Sequence, residues 1–111
     1  MITIEVLRNA GADVETGLSR CVGKEDLYLK LVNMGLGDAK FEELGPVLEA
    51  DDLDKAFELC HALKGVIGNL AITPLFDALS AMTEKLRARE AADYSTMYSD
   101  ILEIRSKLLS S

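Results

Sequence analysis

The chain has 111 residues, of which 49% are hydrophobic, and its 19 acidic and 12 basic residues give a net charge of −7. This hydrophobic fraction exceeds that of disordered chains and the length suits one domain, so we predict a single domain over residues 1–111. The negative charge argues against nucleic acid or an anionic membrane as partner, and no apolar run approaches the roughly 20 residues that span a bilayer. Since the N-terminus also lacks the basic start and apolar segment of a secretory signal, we expect a cytoplasmic protein whose partners are proteins.

Apolar residues recur at spacings of three and four along most of the chain, and strict two-residue alternation is absent, which predicts an all-α protein. The first apolar residues, from Ile2 to Leu7, are compatible with a strand or a short helix, and we favour a helix that ends at Gly11. Asp13 is a suitable N-cap for a second short helix, which Gly23 closes.

The helical pattern becomes stronger after Lys24. Glycines 35 and 37 then interrupt this first helical pattern. A second helical pattern follows and contains Pro46, which removes one backbone hydrogen-bond donor. This further helix is therefore predicted to be either kinked or split at Gly45-Pro46, and the sequence does not decide between the two. The apolar positions at helical spacing in the first of these helices are Leu27, Tyr28, Leu31, Val32 and Met34.

The central helix is predicted to run from about Leu53 to Ile67, with Asp51 or Asp52 as its N-cap. Its apolar set repeats at three and four, and Gly68-Asn69 is expected to supply the left-handed residue that ends it. Cys60 lies on this apolar face and is predicted to be a small buried hydrophobe. A disulfide with Cys21 stays possible, but a chain of this size does not need one.

The last two helices have clear start signals. Thr73-Pro74 predicts a capping hydroxyl followed by proline at the first helical position, and Asp93 predicts the cap of the final helix. We predict an antiparallel four-helix bundle with one or two short additional N-terminal helices, because four main amphipathic helices with short connections bury their stripes most simply in that way. The stripe of the first of these two helices is Leu75, Leu79, Met82 and Leu86, and that of the second is Tyr94, Met97, Tyr98, Ile101, Leu102, Arg105, Leu108 and Leu109.

His61, the only histidine, lies at the border of the central apolar stripe, about 40° beyond Phe57 on a helical wheel. Lys64 and Gly65 share its side of the helix, three and four positions on. A neutral imidazole is a nitrogen nucleophile that can accept a phosphoryl group, and Lys64 would offset the charge of the phosphoryl oxygens. Gly65, with Gly68 in the next turn, would leave room for a partner's active site to reach the imidazole.

Ordinary structural roles explain the same residues. A single histidine at a helix border is most often a half-exposed polar residue, Lys64 could be a rim residue, and Gly65 could be a C-cap if the helix ended early. A metal site is not predicted, because His61 and the two cysteines make only three soft ligands. A hydrolase triad fails as well, since no second histidine remains to act as base. Spacing alone therefore leaves the role of His61 open.

The stretch from Cys60 to Leu70, Cys-His-Ala-Leu-Lys-Gly-Val-Ile-Gly-Asn-Leu, closely resembles the signature of histidine-containing phosphotransfer (HPt) domains. In that family a helical His-x-x-Lys-Gly follows a small residue and precedes small and apolar positions. A second block, from Gly17 to Tyr28, resembles the stretch ahead of the first long bundle helix of such domains. The resemblance spans nearly the whole chain, although only the histidine block is diagnostic.

The resemblance implies a four-helix bundle that relays a phosphoryl group between aspartates of response-regulator receiver domains, including those of hybrid sensor kinases. It implies no kinase activity and no cofactor. By position, His61 matches the phosphorylated histidine, Lys64 the neighbouring lysine and Gly65 the glycine that gives access. Two positions depart from the pattern: Ala71 stands where glycine is frequent, and Cys21 where an aromatic residue is common. The alternative is a non-phosphorylated helical adaptor that binds a protein partner through an exposed helix face.

Overall fold

Seven α-helices and no β-strand form the chain in a computed structural model that describes residues 1–111. The all-α prediction is confirmed, and so is the preference for a helix over a strand near the N-terminus. None of the helices has the length and apolar character needed to cross a membrane. The helices are α1 (Ile4–Asn9), α2 (Val14–Arg20), α3 (Glu25–Leu36), α4 (Lys40–Glu49), α5 (Leu53–Asn69), α6 (Thr73–Arg87) and α7 (Tyr94–Leu109).

Aspartate side chains cap the N-termini of α2, α5 and α7. Asp13, Asp52 and Asp93 each accept a hydrogen bond from the backbone N–H three residues on, at 3.2, 3.1 and 3.0 Å. Asp52 rather than Asp51 is therefore the cap of α5. Each such cap stabilises a helix by about 1 kcal/mol, which explains why these helices begin where the sequence predicted.

The start of α6 differs from its prediction. Ile72 is the N-cap residue, and Thr73 lies inside the helix with Pro74 in its first turn. The Thr73 hydroxyl donates to the Ala71 carbonyl at 3.5 Å instead of accepting from the first turn of α6. The prediction of a threonine cap was therefore wrong by one position.

Five helices end in a Schellman motif, in which the residue after the left-handed position donates back to the carbonyl five residues earlier. These bonds, from residues 12, 23, 52, 72 and 90, are 2.8 to 3.3 Å long. Only α1 has glycine, Gly11, at the left-handed position, whereas α2, α4, α5 and α6 place Val22, Asp51, Ala71 and Arg89 there, each with φ between 56° and 60°.

The end of α5 therefore corrects a prediction. The helix extends to Asn69, and its left-handed residue is Ala71 rather than Gly68 or Asn69. Ala71 stands where the resemblance favours glycine, and its φ of 60° supplies the physical reason for that preference.

Replacing Val22 with glycine is expected to raise the free energy of unfolding by about 1 kcal/mol, because a β-branched residue is strained at positive φ. Val22 is 85% exposed, so the substitution removes little packing. Urea unfolding of the wild type, Val22→Gly and Val22→Ala checks this prediction. The alanine variant keeps a Cβ and should gain less stability. A glycine variant that is less stable than the wild type would contradict the proposed backbone strain at Val22.

Pro46 lies inside α4, which runs without interruption from Lys40 to Glu49. The helix is therefore not split at Gly45-Pro46. Gly45 faces α7, where an added Cβ would lie 3.2 Å from the ring of Tyr98, and the Tyr98 hydroxyl donates to the Phe41 carbonyl at 2.6 Å. These contacts hold the proline-containing helix against α7.

α5 is the central helix of the packing. It contacts α3, α4 and α6, while α7 contacts both α4 and α6. The inner face of α5 and the predicted stripe of α6 are fully buried, and they belong to one hydrophobic cluster of 23 residues. The buried residues of these two faces are Ala56, Cys60, Leu63, Ile67, Leu75, Leu79, Met82 and Leu86.

α3 buries a different face from the one that its leucine spacing suggests. Tyr28 and Val32 are fully buried, but Leu27 is 41% and Met34 is 62% exposed. The Tyr28 hydroxyl donates to the Leu70 carbonyl at 2.7 Å. Its ring occupies the space that Gly17 leaves, since a Cβ there would lie 2.4 Å from the ring. The fit between Tyr28 and Gly17 sets the rotation of α3 and turns Leu27 and Met34 outward.

Candidate functional site

His61 lies exposed on α5, directly after the fully buried Cys60. Its imidazole stacks on the ring of Phe57, one turn earlier, with 5.6 Å between ring centroids and 13° between planes. The predicted position at the border of the apolar stripe is confirmed. Stacking covers one face of the imidazole ring. The two nitrogens at the ring edge are therefore available to act as a nucleophile or to bind a ligand.

A shallow depression of about 380 Å³ surrounds this imidazole. We call it the His61 depression. It brings together all four residues singled out from the sequence, His61, Lys64, Gly65 and Gly68. Three further residues line it: Arg20, Asn69 and Phe76.

Gly65 lies in the interior of α5, so the alternative of a C-cap at this position is wrong. A Cβ built on Gly65 would meet no atom within 4 Å. Glycine costs roughly 1 kcal/mol relative to alanine inside a helix, and packing within the chain does not require it here. The bare backbone leaves open space beside His61.

Gly68 is in a different situation, although it lines the same depression. A Cβ at Gly68 would lie 2.8 Å from the ring of Phe76 on α6, a distance that real Cβ contacts do not reach. Glycine is needed at this position for α5 and α6 to approach each other, whatever binds in the depression.

Arg20 contributes a second positive charge to the depression, and no pattern in the sequence predicts a role for it. It belongs to the last turn of α2, and its Nη1 donates to the carbonyls of Gly68 and Asn69 at 3.0 and 2.8 Å. The only sequence signal that includes it is the second block of the resemblance, from Gly17 to Tyr28. The fold brings it to the depression because the N-cap of α2 is bonded to the residues after α5: the Asp13 N–H donates to the Ala71 carbonyl at 2.9 Å.

The neighbouring thiol is not a competing nucleophile. Burial raises the pKa of Cys60, although the Thr83 hydroxyl 3.2 Å from its sulfur acts in the opposite direction. The thiol therefore stays protonated near neutral pH, and a protonated, inaccessible cysteine is inert. Both cysteines are free, and no cluster of three or more side chains suited to a metal ion occurs in the chain.

A second concavity of about 720 Å³ lies between α3 and α5, on the other side of Gly65. We call it the α3–α5 groove. Its apolar lining residues are Leu31, Met34, Ala62, Val66 and Leu70. Met34 and Val66 are 62% and 37% exposed, and Gly65 and Asn69 line both concavities. An apolar surface thus continues directly into the surroundings of His61.

Replacing Phe57 with leucine is expected to slow any reaction of His61 by about 2- to 10-fold, because aromatic stacking is worth about 0.5–1.5 kcal/mol and holds the imidazole in place. Phe57→Tyr keeps an aromatic ring and is the matched control, with an expected rate near that of the wild type. The rate of His61 modification by diethyl pyrocarbonate, followed by absorbance, measures the effect. A leucine variant as reactive as the tyrosine variant would contradict a positioning role.

The site thus combines an exposed imidazole, two cations from different helices and an open glycine, an arrangement suited to accepting and holding a phosphoryl group. Comparison of the chain with protein-family models, curated proteins and solved structures finds no significant match to any of them.

Proposed function

We propose that this protein is a phosphorelay carrier that accepts a phosphoryl group on His61 from the aspartate of a receiver domain and passes it to a second receiver. The observation that supports this most directly is the His61 depression, which an exposed imidazole shares with Lys64, Arg20 and an open Gly65. The resemblance of residues 60–70 to HPt domains supports the same function. In this proposal the protein has no kinase activity, needs no cofactor and works in the cytoplasm.

The proposed transfer is an in-line displacement at phosphorus. The unprotonated ring nitrogen of neutral His61 attacks, a nitrogen–phosphorus bond forms, and the bond between phosphorus and the aspartyl oxygen breaks, so that the receiver regains its carboxylate. The proton on the other ring nitrogen stays there, which leaves the imidazole a good leaving group for the return step. Magnesium and the acidic residues of the reaction would come from the receiver.

Lys64 and Gly65 have separate roles in this transfer. The Lys64 ammonium would attract the three phosphoryl oxygens without forming a covalent bond. Gly65 would let the receiver's loops approach the imidazole, because an open backbone position removes the side chain that would otherwise meet them.

The α3–α5 groove would provide the contact surface for the receiver. Its exposed Met34 and Val66 adjoin the His61 depression through Gly65, so one partner could cover both concavities. Apolar contact would supply affinity while the depression aligns the reacting atoms. The architecture in this proposal is an antiparallel four-helix bundle of α4 to α7. Three helices precede it, rather than the one or two short helices predicted, and the third of them, α3, contacts both α5 and α7.

Incubation with phosphorylated receiver domains tests the proposal. We expect the label to leave the receiver and appear on this chain as acid-labile, base-stable phosphate, which is typical of phosphohistidine. If no cognate receiver, including those of hybrid sensor kinases, transfers label to the folded protein, the carrier function is wrong.

The α3–α5 groove also favours a second candidate, a helical adaptor that is never phosphorylated. Exposed Met34 and Val66 would serve an adaptor as well as a carrier. Met34→Lys should weaken partner binding in either case. His61→Gln separates the two, because an adaptor keeps its downstream output with this substitution and a carrier loses it.

A further inference from the structure

Two hydrogen bonds to the end of α5 hold Arg20 in the His61 depression. Its Nη1 donates to two carbonyls of the last turn of α5, those of Gly68 and Asn69. A guanidinium group has five N–H donors, of which Nη1 supplies two. The two bonds of Nη1 therefore leave the donors of Nε and Nη2 for other partners.

The end of α5 does not depend on Arg20 alone. The Gly68 carbonyl also accepts from the Ala71 N–H at 3.0 Å, and the Ile67 carbonyl accepts from the Ile72 N–H at 3.3 Å. The Schellman motif thus already satisfies the Gly68 carbonyl, whereas the Asn69 carbonyl accepts its bond from Arg20. A cap for α5 explains part of the geometry of Arg20 but not the fact that it lines the same depression as the imidazole.

The charge of the depression differs from that of the chain. The protein carries 19 acidic residues and a net charge of −7, yet none of the residues that line the depression is acidic. Its two charged lining residues are Lys64 on α5 and Arg20 on α2. The surroundings of His61 are therefore locally suited to a dianion such as a phosphoryl group.

We propose that Arg20 binds the phosphoryl group carried by His61. The carbonyls of Gly68 and Asn69 lie seven and eight residues beyond His61, about 10 Å or more along α5, so the guanidinium moves from them toward His61 and donates to the phosphoryl oxygens. This inference rests on the proposed function. Arginine presents a planar fork that matches phosphate oxygens, whereas Lys64 acts as a point charge. Before phosphorylation, the bonds to α5 keep Arg20 in the same depression as His61.

Chemical phosphorylation tests this role without a receiver. Phosphoramidate is a small donor: the imidazole nitrogen attacks phosphorus, the phosphorus–nitrogen bond of the donor breaks, and ammonia leaves. Because phosphohistidine is acid-labile, the titration that can be followed is that of its second ring nitrogen, and a nearby cation disfavours the protonated ring and lowers the pH at which this nitrogen titrates. In ³¹P NMR titrations of the phosphorylated proteins, Arg20→Gln is expected to raise this midpoint by about 0.5 pH unit or more.

Arg8→Gln is the matched control, because it removes the same charge from an exposed arginine that pairs with Glu15 on α2. It should leave the midpoint unchanged. A midpoint in Arg20→Gln equal to that of the wild type, with only a loss of stability, would show that Arg20 merely caps α5 and would overturn the proposal.

The wild type provides a measurement that does not depend on the folding of a variant. The Arg20 Nε–H resonance should shift and exchange more slowly with water when His61 is phosphorylated. An unchanged resonance would overturn the proposal, and so would a His61 that phosphoramidate does not phosphorylate. If chemical phosphorylation succeeds and Arg20 responds but no receiver transfers phosphate, the proposed function fails and the phosphoryl-binding role stands.

Discussion

His61→Gln is expected to reduce phosphoryl uptake from a receiver to the level of a protein-free control. A glutamine amide has no nucleophilic nitrogen lone pair, and the chain contains no second histidine that could replace His61. The fold should persist, because His61 is exposed and the substitution removes only its stacking on Phe57, which is worth about 0.5–1.5 kcal/mol. Acid-labile phosphate on the protein and urea unfolding measure the two effects separately.

Phe57→Tyr is a suitable control for this experiment, since it changes the neighbouring ring and keeps the nucleophile. It should accept label at close to the wild-type rate. A His61→Gln protein that labels as strongly as the wild type would place the acceptor on another residue and would contradict the assignment of His61.

Gly65→Leu is expected to slow transfer from a receiver by about 100-fold or more, because misplacing reacting groups by about 1 Å costs that much. The same substitution should keep or raise stability by about 1 kcal/mol, since leucine is a better helix former than glycine and a Cβ at this position meets nothing within 4 Å. A variant that is more stable but transfers phosphate more slowly would show that the substitution obstructs access to His61 without disrupting the fold. Stopped-flow transfer kinetics and thermal unfolding provide the measurements.

Two controls accompany this experiment. Gly65→Ala gains helix propensity with a smaller obstruction, so its transfer rate should lie between those of the wild type and the leucine variant. Phosphoramidate is small enough to reach His61 past a leucine and should phosphorylate all three proteins. Transfer from the receiver to Gly65→Leu within about twofold of the wild type would refute the need for clearance, since a full obstruction is expected to cost about 100-fold.

The helices could be predicted from local signals where one residue type decides the outcome. Aspartate caps marked the starts of α2, α5 and α7, and periodicity identified the buried face of α6. The helix ends were harder to predict. At the ends of α2 and α5, Val22 and Ala71 adopt left-handed conformations that their side chains disfavour, so propensity pointed to Gly23 and Gly68 instead.

The face of α3 could not be predicted because two apolar stripes overlap on it. Leu27 and Met34 are as hydrophobic as Val32, and the inward side is decided by the space at Gly17 for the Tyr28 ring and by the close approach of Gly35 to Leu70 on the neighbouring segment. Such a choice depends on a tertiary contact between two helices. Periodicity within one helix contains no information about it.

The candidate site was predictable only as far as it lies on one helix. His61, Lys64 and Gly65 follow from spacing along α5, whereas Arg20 on α2 and Phe76 on α6 reach the depression through packing. Gly68 shows a further limit of spacing arguments. Its contact with Phe76 gives it a packing role that residues 60–70 by themselves do not indicate.

A three-component relay tests the central claim most directly. A labelled receiver, this protein and a second, unlabelled receiver are mixed, and the phosphate on each is followed over time. The account predicts that label reaches the second receiver only when a protein with intact His61 is present, and that it passes transiently through phosphohistidine. Label that reaches the second receiver equally well with His61→Gln, or that never leaves the first receiver of any cognate pair, would contradict it.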